Sequence, residues 1–270
     1  VSPKINIAHT LNDDVLLYAT YSEGFRPSGT NRLNRKARES GIVPATYDSD
    51  TLTNFEAGFK STLADGKIVL NGNFHTMNWD DFQSTSYIYD LLTVAFVQNV
   101  GQATISGLEL ESYFNISDSF SASLMIALTD PEFKEDIYDL QGELSTPKGN
   151  QLAYVPTEQF VMSMNKDFVI RNRDAYVSYD HSYTGESYQS SANTDTNASY
   201  SLANLRFGVN PSSKGSSDAD DLFGFLQNSS VEVYLENVHD ADPTLGIYDD
   251  FGDVRRTGSK PRTIGLRLRY

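Results

Sequence analysis

The sequence predicts an all-β fold, an antiparallel transmembrane β-barrel, and three observations carry that prediction. Apolar and polar residues alternate with period two along most of the chain, the connectors between these stretches are short and long by turns, and the last strand closes on an aromatic residue. In that strand Ile264, Leu266, Leu268 and Tyr270 point one way, and Thr263, Gly265, Arg267 and Arg269 the other. A strand of about ten residues ending on an aromatic fits a barrel that crosses an outer membrane, although a soluble sheet would accept the same alternation.

Composition narrows the classes. With 21 Lys+Arg against 36 Asp+Glu the net charge is −15, which makes the chain a poor partner for nucleic acid. A hydrophobic fraction of 39% is compatible with a barrel, because only alternate residues face lipid and the loops are polar. No apolar run approaches the roughly 18 residues of a membrane-spanning helix, so any spanning structure must be β. The chain has no cysteine, which removes disulfides, thiol chemistry and cysteine-ligated metals. Val1-Ser2-Pro3 carries no initiator Met and no leader features, as expected of a chain that starts within a longer protein or after processing.

We read about eleven strands, at 3–10, 15–23, 50–61, 67–82, 96–114, 119–129, 156–165, 174–188, 199–209, 230–237 and 261–270. In the third, Phe55, Ala57 and Phe59 alternate with Asn54, Glu56, Gly58 and Lys60; in the fifth, Leu108 and Leu110 alternate with Glu109 and Glu111. The sixth sets Phe120, Ala122, Leu124, Ile126 and Leu128 against serines, the eighth sets Ala175, Val177 and Tyr179 against Tyr176, Ser178 and Asp180, and the ninth opposes Ala203, Leu205, Phe207 and Val209 to Asn204 and Arg206. Such strands require an apolar medium on one side and a wet one on the other.

Short turns fall at 12–14, 64–66 and 115–118, with a moderate one at 166–173; long polar connectors fall at 24–49, 83–95, 130–155, 189–198 and 238–260. In outer-membrane barrels the short turns are periplasmic and the long loops external. With the terminal strand running inward, all five long connectors lie outside. The connector 210–229 is the exception, long yet periplasmic, and residues 218–227 suggest a short amphipathic helix there. A soluble sandwich or solenoid explains alternation but not this parity. Eleven is odd, whereas single-chain bacterial barrels have even strand counts, so the chain reads as part of a barrel.

Five blocks carry a resemblance. They are Ser2-Pro3-Lys4 with the run from Leu16 to Gly29 that includes Tyr21-Ser22-Glu23-Gly24-Phe25-Arg26-Pro27; Tyr47 to Thr51 followed by Asn54-Phe55-Glu56-Ala57-Gly58-Phe59-Lys60; Asn99-Val100-Gly101-Gln102-Ala103 leading into Gly107 to Glu111; Glu236-Asn237-Val238-His239-Asp240; and Pro261 to Tyr270. In this order they resemble the barrel of TonB-dependent outer-membrane receptors over nearly the whole chain. The resemblance implies a 22-stranded barrel in the outer membrane of a Gram-negative bacterium, with residues 1–270 forming its C-terminal half. It also implies a plug and N-terminal strands outside this chain, energy from TonB acting through that plug, and uptake of a small molecule or chelated metal, most often a ferric siderophore. A passive or adhesive barrel and a soluble β-rich binding domain remain as alternatives.

The residues point to capture rather than catalysis. His9, His75, His181 and His239 are the only histidines, and Asp180-His181-Ser182 cannot act as a catalytic set because adjacent strand residues face opposite ways. No enzyme activity and no cofactor are expected. Asp240, Asp242, Asp249, Asp250 and Asp253 crowd one loop and Asp218, Asp220 and Asp221 another, without the spacing of a calcium loop, and read as solvated acidic loops. Arg26, Arg32, Arg35, Lys36 and Arg38 form a basic island in an acidic chain, suited to an anionic ligand or to lipopolysaccharide phosphates. Arg26 and Pro27 also shape the exit from strand to loop. Near the outer rim lie Trp79, Tyr87, Tyr138 and Tyr248, candidates either to stack on a ligand or to join the interfacial aromatic belt that meets membrane lipid. The candidate ligand set is therefore Arg26, Arg32, Arg35, Arg38, Trp79, Tyr87, Tyr138 and Tyr248. Lumen-facing polar residues such as Asn54, Glu56, Asn71, Asn73, Glu109, Glu111, Glu232 and Glu236 read as contacts for a plug.

Overall fold

The computed structural model describes residues 2–88, 94–170, 173–210, 229–250 and 253–269. One antiparallel sheet of 11 strands holds the chain together, with every strand hydrogen-bonded to its neighbour in sequence. The strands are β1 (Lys4–Asn12), β2 (Val15–Arg26), β3 (Asp50–Leu63), β4 (Ile68–Asp80), β5 (Ala103–Ser117), β6 (Phe120–Phe133), β7 (Glu158–Ile170), β8 (Arg173–Thr184), β9 (Tyr200–Val209), β10 (Ser230–Glu236) and β11 (Thr263–Arg269). Each corresponds to a strand read from the sequence. The edge strands β1 and β11 each pair on one side only, and every residue of β1 is exposed.

Register explains why the alternation is so regular. One row across the sheet runs Ile7, Ala19, Ala57, Phe74, Leu108, Leu128. The adjacent row runs Ala8, Tyr18, Gly58, Asn73, Glu109, Ala127, Gln159. Shifting any strand by one residue would mix the two rows, so the sequence pattern pins the register. The apolar rows are not covered by protein: Ile7 is 67% exposed, Leu108 54% and Ile264 74%. A continuous uncovered apolar face backed by a polar one is the arrangement of a strand between lipid and an aqueous lumen.

The polar face carries large side chains laid over glycines. A Cβ added at Gly58 would meet the Tyr18 hydroxyl, one at Gly208 the Tyr176 ring and one at Gly265 the Tyr234 ring. Tyr18 then donates to Glu56 (2.6 Å), and Tyr176 reaches past Gly208 to Glu232, which also receives Arg267. Glycine is needed at these strand positions because another side chain occupies its space.

Several sequence boundaries shift. The stretch 96–114 divides: residues 94–99 belong to a loop hairpin, and β5 begins only at Ala103, after Gly101 takes a left-handed φ of 44°. Residues 94–99 form an apolar, β-prone run that merges in sequence with the strand after it, and the left-handed Gly101 marks the break. The stretch 174–188 likewise stops at Thr184, with Ser187–Tyr188 in a separate ladder. Most of the turn expected over 166–173 is strand: Lys166 to Ile170 continue the β7–β8 ladder, and β8 begins at Arg173. The five external connectors, expected as polar loops, each fold into a two-stranded hairpin: 29–30 with 46–47, 83–88 with 94–99, 137–138 with 144–146, 187–188 with 196–197 and 244–250 with 253–258. The helix suggested at 218–227 lies outside the described residues.

The face assignment makes a quantitative prediction. Leu110→Arg, on the apolar face, should lower the stability of the intact protein in a bilayer by about 2–4 kcal/mol if it sits near the midplane, whereas Asn73→Arg, on the polar face beside Glu109, should cost well under half of that. Denaturant unfolding from lipid vesicles measures both, and equal costs would contradict the assignment.

Candidate functional site

The outer ends of β2, β3 and β4 converge on one carboxylate. Asp50, the first residue of β3, is 1% exposed. It accepts hydrogen bonds from the Arg26 backbone N–H (3.0 Å), Arg26 Nε (2.8 Å), Trp79 Nε1 (2.9 Å) and the Gln83 backbone N–H (3.2 Å), and forms an ion pair with Arg26 Nη2. The Arg26 guanidinium lies 4.8 Å from the Trp79 ring centroid and 5.6 Å from that of Phe82. The Gln83 side chain donates to the carbonyls of Pro27 (3.1 Å) and Asp48 (2.8 Å). A buried carboxylate survives only when its lone pairs are matched, and here the matching groups come from the start of the first loop (Arg26), the end of β4 (Trp79) and the start of the second loop (Gln83).

Above this clasp the loops hold one another through side-chain amides that imitate backbone. Asn31 accepts from the Val97 N–H (2.8 Å) and donates to the Val97 carbonyl (2.7 Å), adding an extra rung to the second hairpin. Asn99 bonds both the N–H and the carbonyl of Asp48. Asn193 makes the same reciprocal pair with Gln151 (2.7 and 2.9 Å), tying the fourth loop to the third. Tyr154 then donates its backbone N–H to the Tyr188 carbonyl and its hydroxyl to the Ile247 carbonyl, each at 2.8 Å. Two small hydrophobic clusters fill the interior of this canopy: Ala37, Val43 and Phe96 with Leu33 and Leu140, and Ala103, Phe133 and Leu152 with Trp79 and Ile137.

The basic island is presented on that platform. A short helix, α1 (Arg35–Ser40), begins at Asn34, whose side chain caps the Ala37 N–H at 2.8 Å, and ends at Gly41 with φ of 68°. Ala37 is its buried contact, while Arg32, Arg35, Lys36 and Arg38 are exposed. Arg35 pairs with Glu39 at 2.7 Å, both largely in solvent, which leaves the charge available.

The candidate set therefore separates. Arg26 and Trp79 meet each other on the lumen side of the rim and direct their donors to Asp50. Arg32, Arg35 and Arg38 share the first loop. Tyr87 and Tyr138 are exposed at 57% and 55% on the second and third hairpins, and Tyr248 lies in the fifth, its side chain outside the described residues. Asp50, Asn31 and Asn193 were not anticipated. Asp50 had a signal, since it faces Arg26 across the two ends of one loop; the asparagines had none, because an amide in a polar loop looks like any other. His181 stacks on Phe160 (5.5 Å) on the apolar face while Asp180 turns the other way to Arg206 and Ser163. Asp242 is paired with Arg256 and Asp240 accepts from the Arg262 N–H. Along the lumen side a cavity of about 510 Å³ is lined by Tyr18, Lys60, Asn71, Asn73, Glu109 and Glu111.

This architecture matches a known family. The family model described as TonB dependent receptor-like, beta-barrel aligns with residues 1–238. The chain belongs to the TonB-dependent receptor β-barrel family. Its fold is similar to that of the ferric yersiniabactin uptake receptor FyuA from Yersinia pestis, with a TM-score of 0.74 and 18% identity over 98% of this chain and 36% of that one. It is also similar to the siderophore receptor PiuA from Acinetobacter baumannii (0.73, 16%, 98% and 35%) and to the copper transporter OprC (0.68, 14%, 99% and 38%). The chain spans about a third of the length of these proteins.

The clasp predicts a graded response. Asp50→Ala leaves the Trp79 and Gln83 donors unmatched and should destabilise the intact receptor by about 1–3 kcal/mol. The second hairpin should become a site of limited proteolysis, while Asp50→Asn retains part of the protection. An unchanged cleavage pattern for Asp50→Ala would show that the clasp does not hold the loops.

Proposed function

We propose that this chain is the C-terminal part of the barrel of an outer-membrane transporter that takes up a scarce nutrient as an anionic iron chelate, a ferric siderophore or a molecule like it, energised through TonB. The observation that carries the reading is the exposed cluster of Arg32, Arg35, Lys36 and Arg38, on and just before a short capped helix of the first loop, in a chain with net charge −15. Against an acidic background a basic patch concentrates anions locally and raises their rate of arrival. The polar lumen wall, with Glu56, Glu109 and Glu111, suits a plug supplied by the rest of the polypeptide, which would link ligand capture outside to TonB inside. Family membership supports a transport role rather than an enzymatic one.

Replacing Arg32, Arg35 and Arg38 together by Glu tests the reading. Uptake of radiolabelled ferric chelates by cells expressing the complete receptor should fall by at least about tenfold at limiting concentration, with the amount of folded receptor unchanged. Normal binding and import would remove the basic segment from recognition.

A further inference from the structure

The third external loop returns to the barrel through a turn at residues 153–154, and the backbone is strained there. Tyr154 takes a left-handed φ of 62°. The other non-glycine residues with positive φ, among those described, are Ala64, Asp65, Asp81, Asn193, Asn237 and Asp240. Most of these are Asn or Asp, whose short polar side chains tolerate that region, whereas a bulky tyrosine in it is an outlier. The flanks fix where the chain must reverse. Leu152 is buried in the cluster with Ala103 and Phe133, and its N–H donates to the Pro131 carbonyl at 3.0 Å. Val155 packs against the same cluster and precedes Pro156, which confines it to extended backbone. With both flanks anchored, the reversal falls on Ala153 and Tyr154.

The groups that hold Tyr154 in this conformation belong to other loops. Its N–H donates to the Tyr188 carbonyl of the fourth loop, and its hydroxyl to the Ile247 carbonyl of the fifth, each at 2.8 Å. The fourth loop is itself tied to the third just upstream, where Gln151 and Asn193 exchange hydrogen bonds and Asn150 Nδ2 donates to the Ser191 carbonyl at 2.9 Å. Tyr154 is 48% exposed, so hydrogen bonds rather than burial carry much of the restraint. Strain of this kind persists only where the surroundings over-determine it, and it gathers at clamps and switch segments.

We propose that Tyr154 is a strained latch that makes the third external loop yield when the fifth loop lifts. While Tyr188 and Ile247 accept its two hydrogen bonds, the left-handed turn is held. When the fifth loop moves away and the hydroxyl bond is lost, Tyr154 relaxes to negative φ, its N–H turns from the Tyr188 carbonyl, and the turn over Leu152 to Val155 loosens. Motion of one loop is thereby passed to another that lies about ninety residues earlier in the chain. The latch does not depend on the cargo, so it stands or falls separately from the iron-chelate reading.

Hydrogen–deuterium exchange of the complete receptor in lipid nanodiscs tests the latch, read at residues 151–155 and 244–250. Tyr154→Phe removes the hydroxyl and keeps the strain. Tyr154→Asn also removes the hydroxyl, with a side chain too short to reach Ile247, but it tolerates the left-handed φ. Both variants should exchange about fivefold faster than wild type over 244–250, the effect of losing one hydrogen bond. Over 151–155 they should differ: Tyr154→Phe exchanges about fivefold faster, because the strained turn now opens, whereas Tyr154→Asn keeps the wild-type protection. The latch is overturned if either variant leaves 244–250 at the wild-type rate, since the hydroxyl then holds nothing. It is overturned equally if Tyr154→Phe loosens 244–250 but not 151–155, or if Tyr154→Asn loosens 151–155 as much as Tyr154→Phe does.

Discussion

Inside a bilayer no water is available for an unpaired peptide group, and this constraint organises the molecule. Strands can meet it only by bonding to other strands, which is why the described residues of the membrane-spanning part form one uninterrupted antiparallel ladder from β1 to β11. Once the ladder is fixed, side chains have two destinations, lipid or lumen, and the two rows through Ala57 and Gly58 illustrate the separation. Hydrophobic burial in the usual sense moves elsewhere: the clusters around Phe96 and Phe133 sit in and beneath the external loops.

The same separation determined what could be read in the sequence. A barrel strand declares itself by period two, so all eleven strands and the parity of their connectors were legible from residues such as Phe55 to Lys60 and Leu108 to Glu111. The boundary at Gly101 was not, because the apolar, β-prone run from Val94 to Val100 leads directly into the strand that follows. The hairpins within the loops were hidden for a related reason. They are short, rich in Ser, Thr and Asn, and held by single amides at Asn31, Asn99 and Asn193, whose partners are backbone atoms far away in sequence. No local pattern encodes such a contact.

The candidate site divided along similar lines. Charge is visible in composition, so the basic island of the first loop could be recognised before its helix was known. Commitment of a side chain to a structural partner is not visible, and Arg26 and Trp79 looked like Arg32 and Tyr87 until Asp50 was placed between them.

The two edge strands have a geometric consequence for how the wall is completed. With an odd number of strands in a simple meander, β1 and β11 run in the same direction, both toward the periplasm. Drawn together, their free edges would meet as a parallel seam, unlike the antiparallel ladders between them. An all-antiparallel wall instead requires an odd number of intervening strands whose two outermost members run outward. The number of those strands and their stagger would then decide the diameter of the barrel.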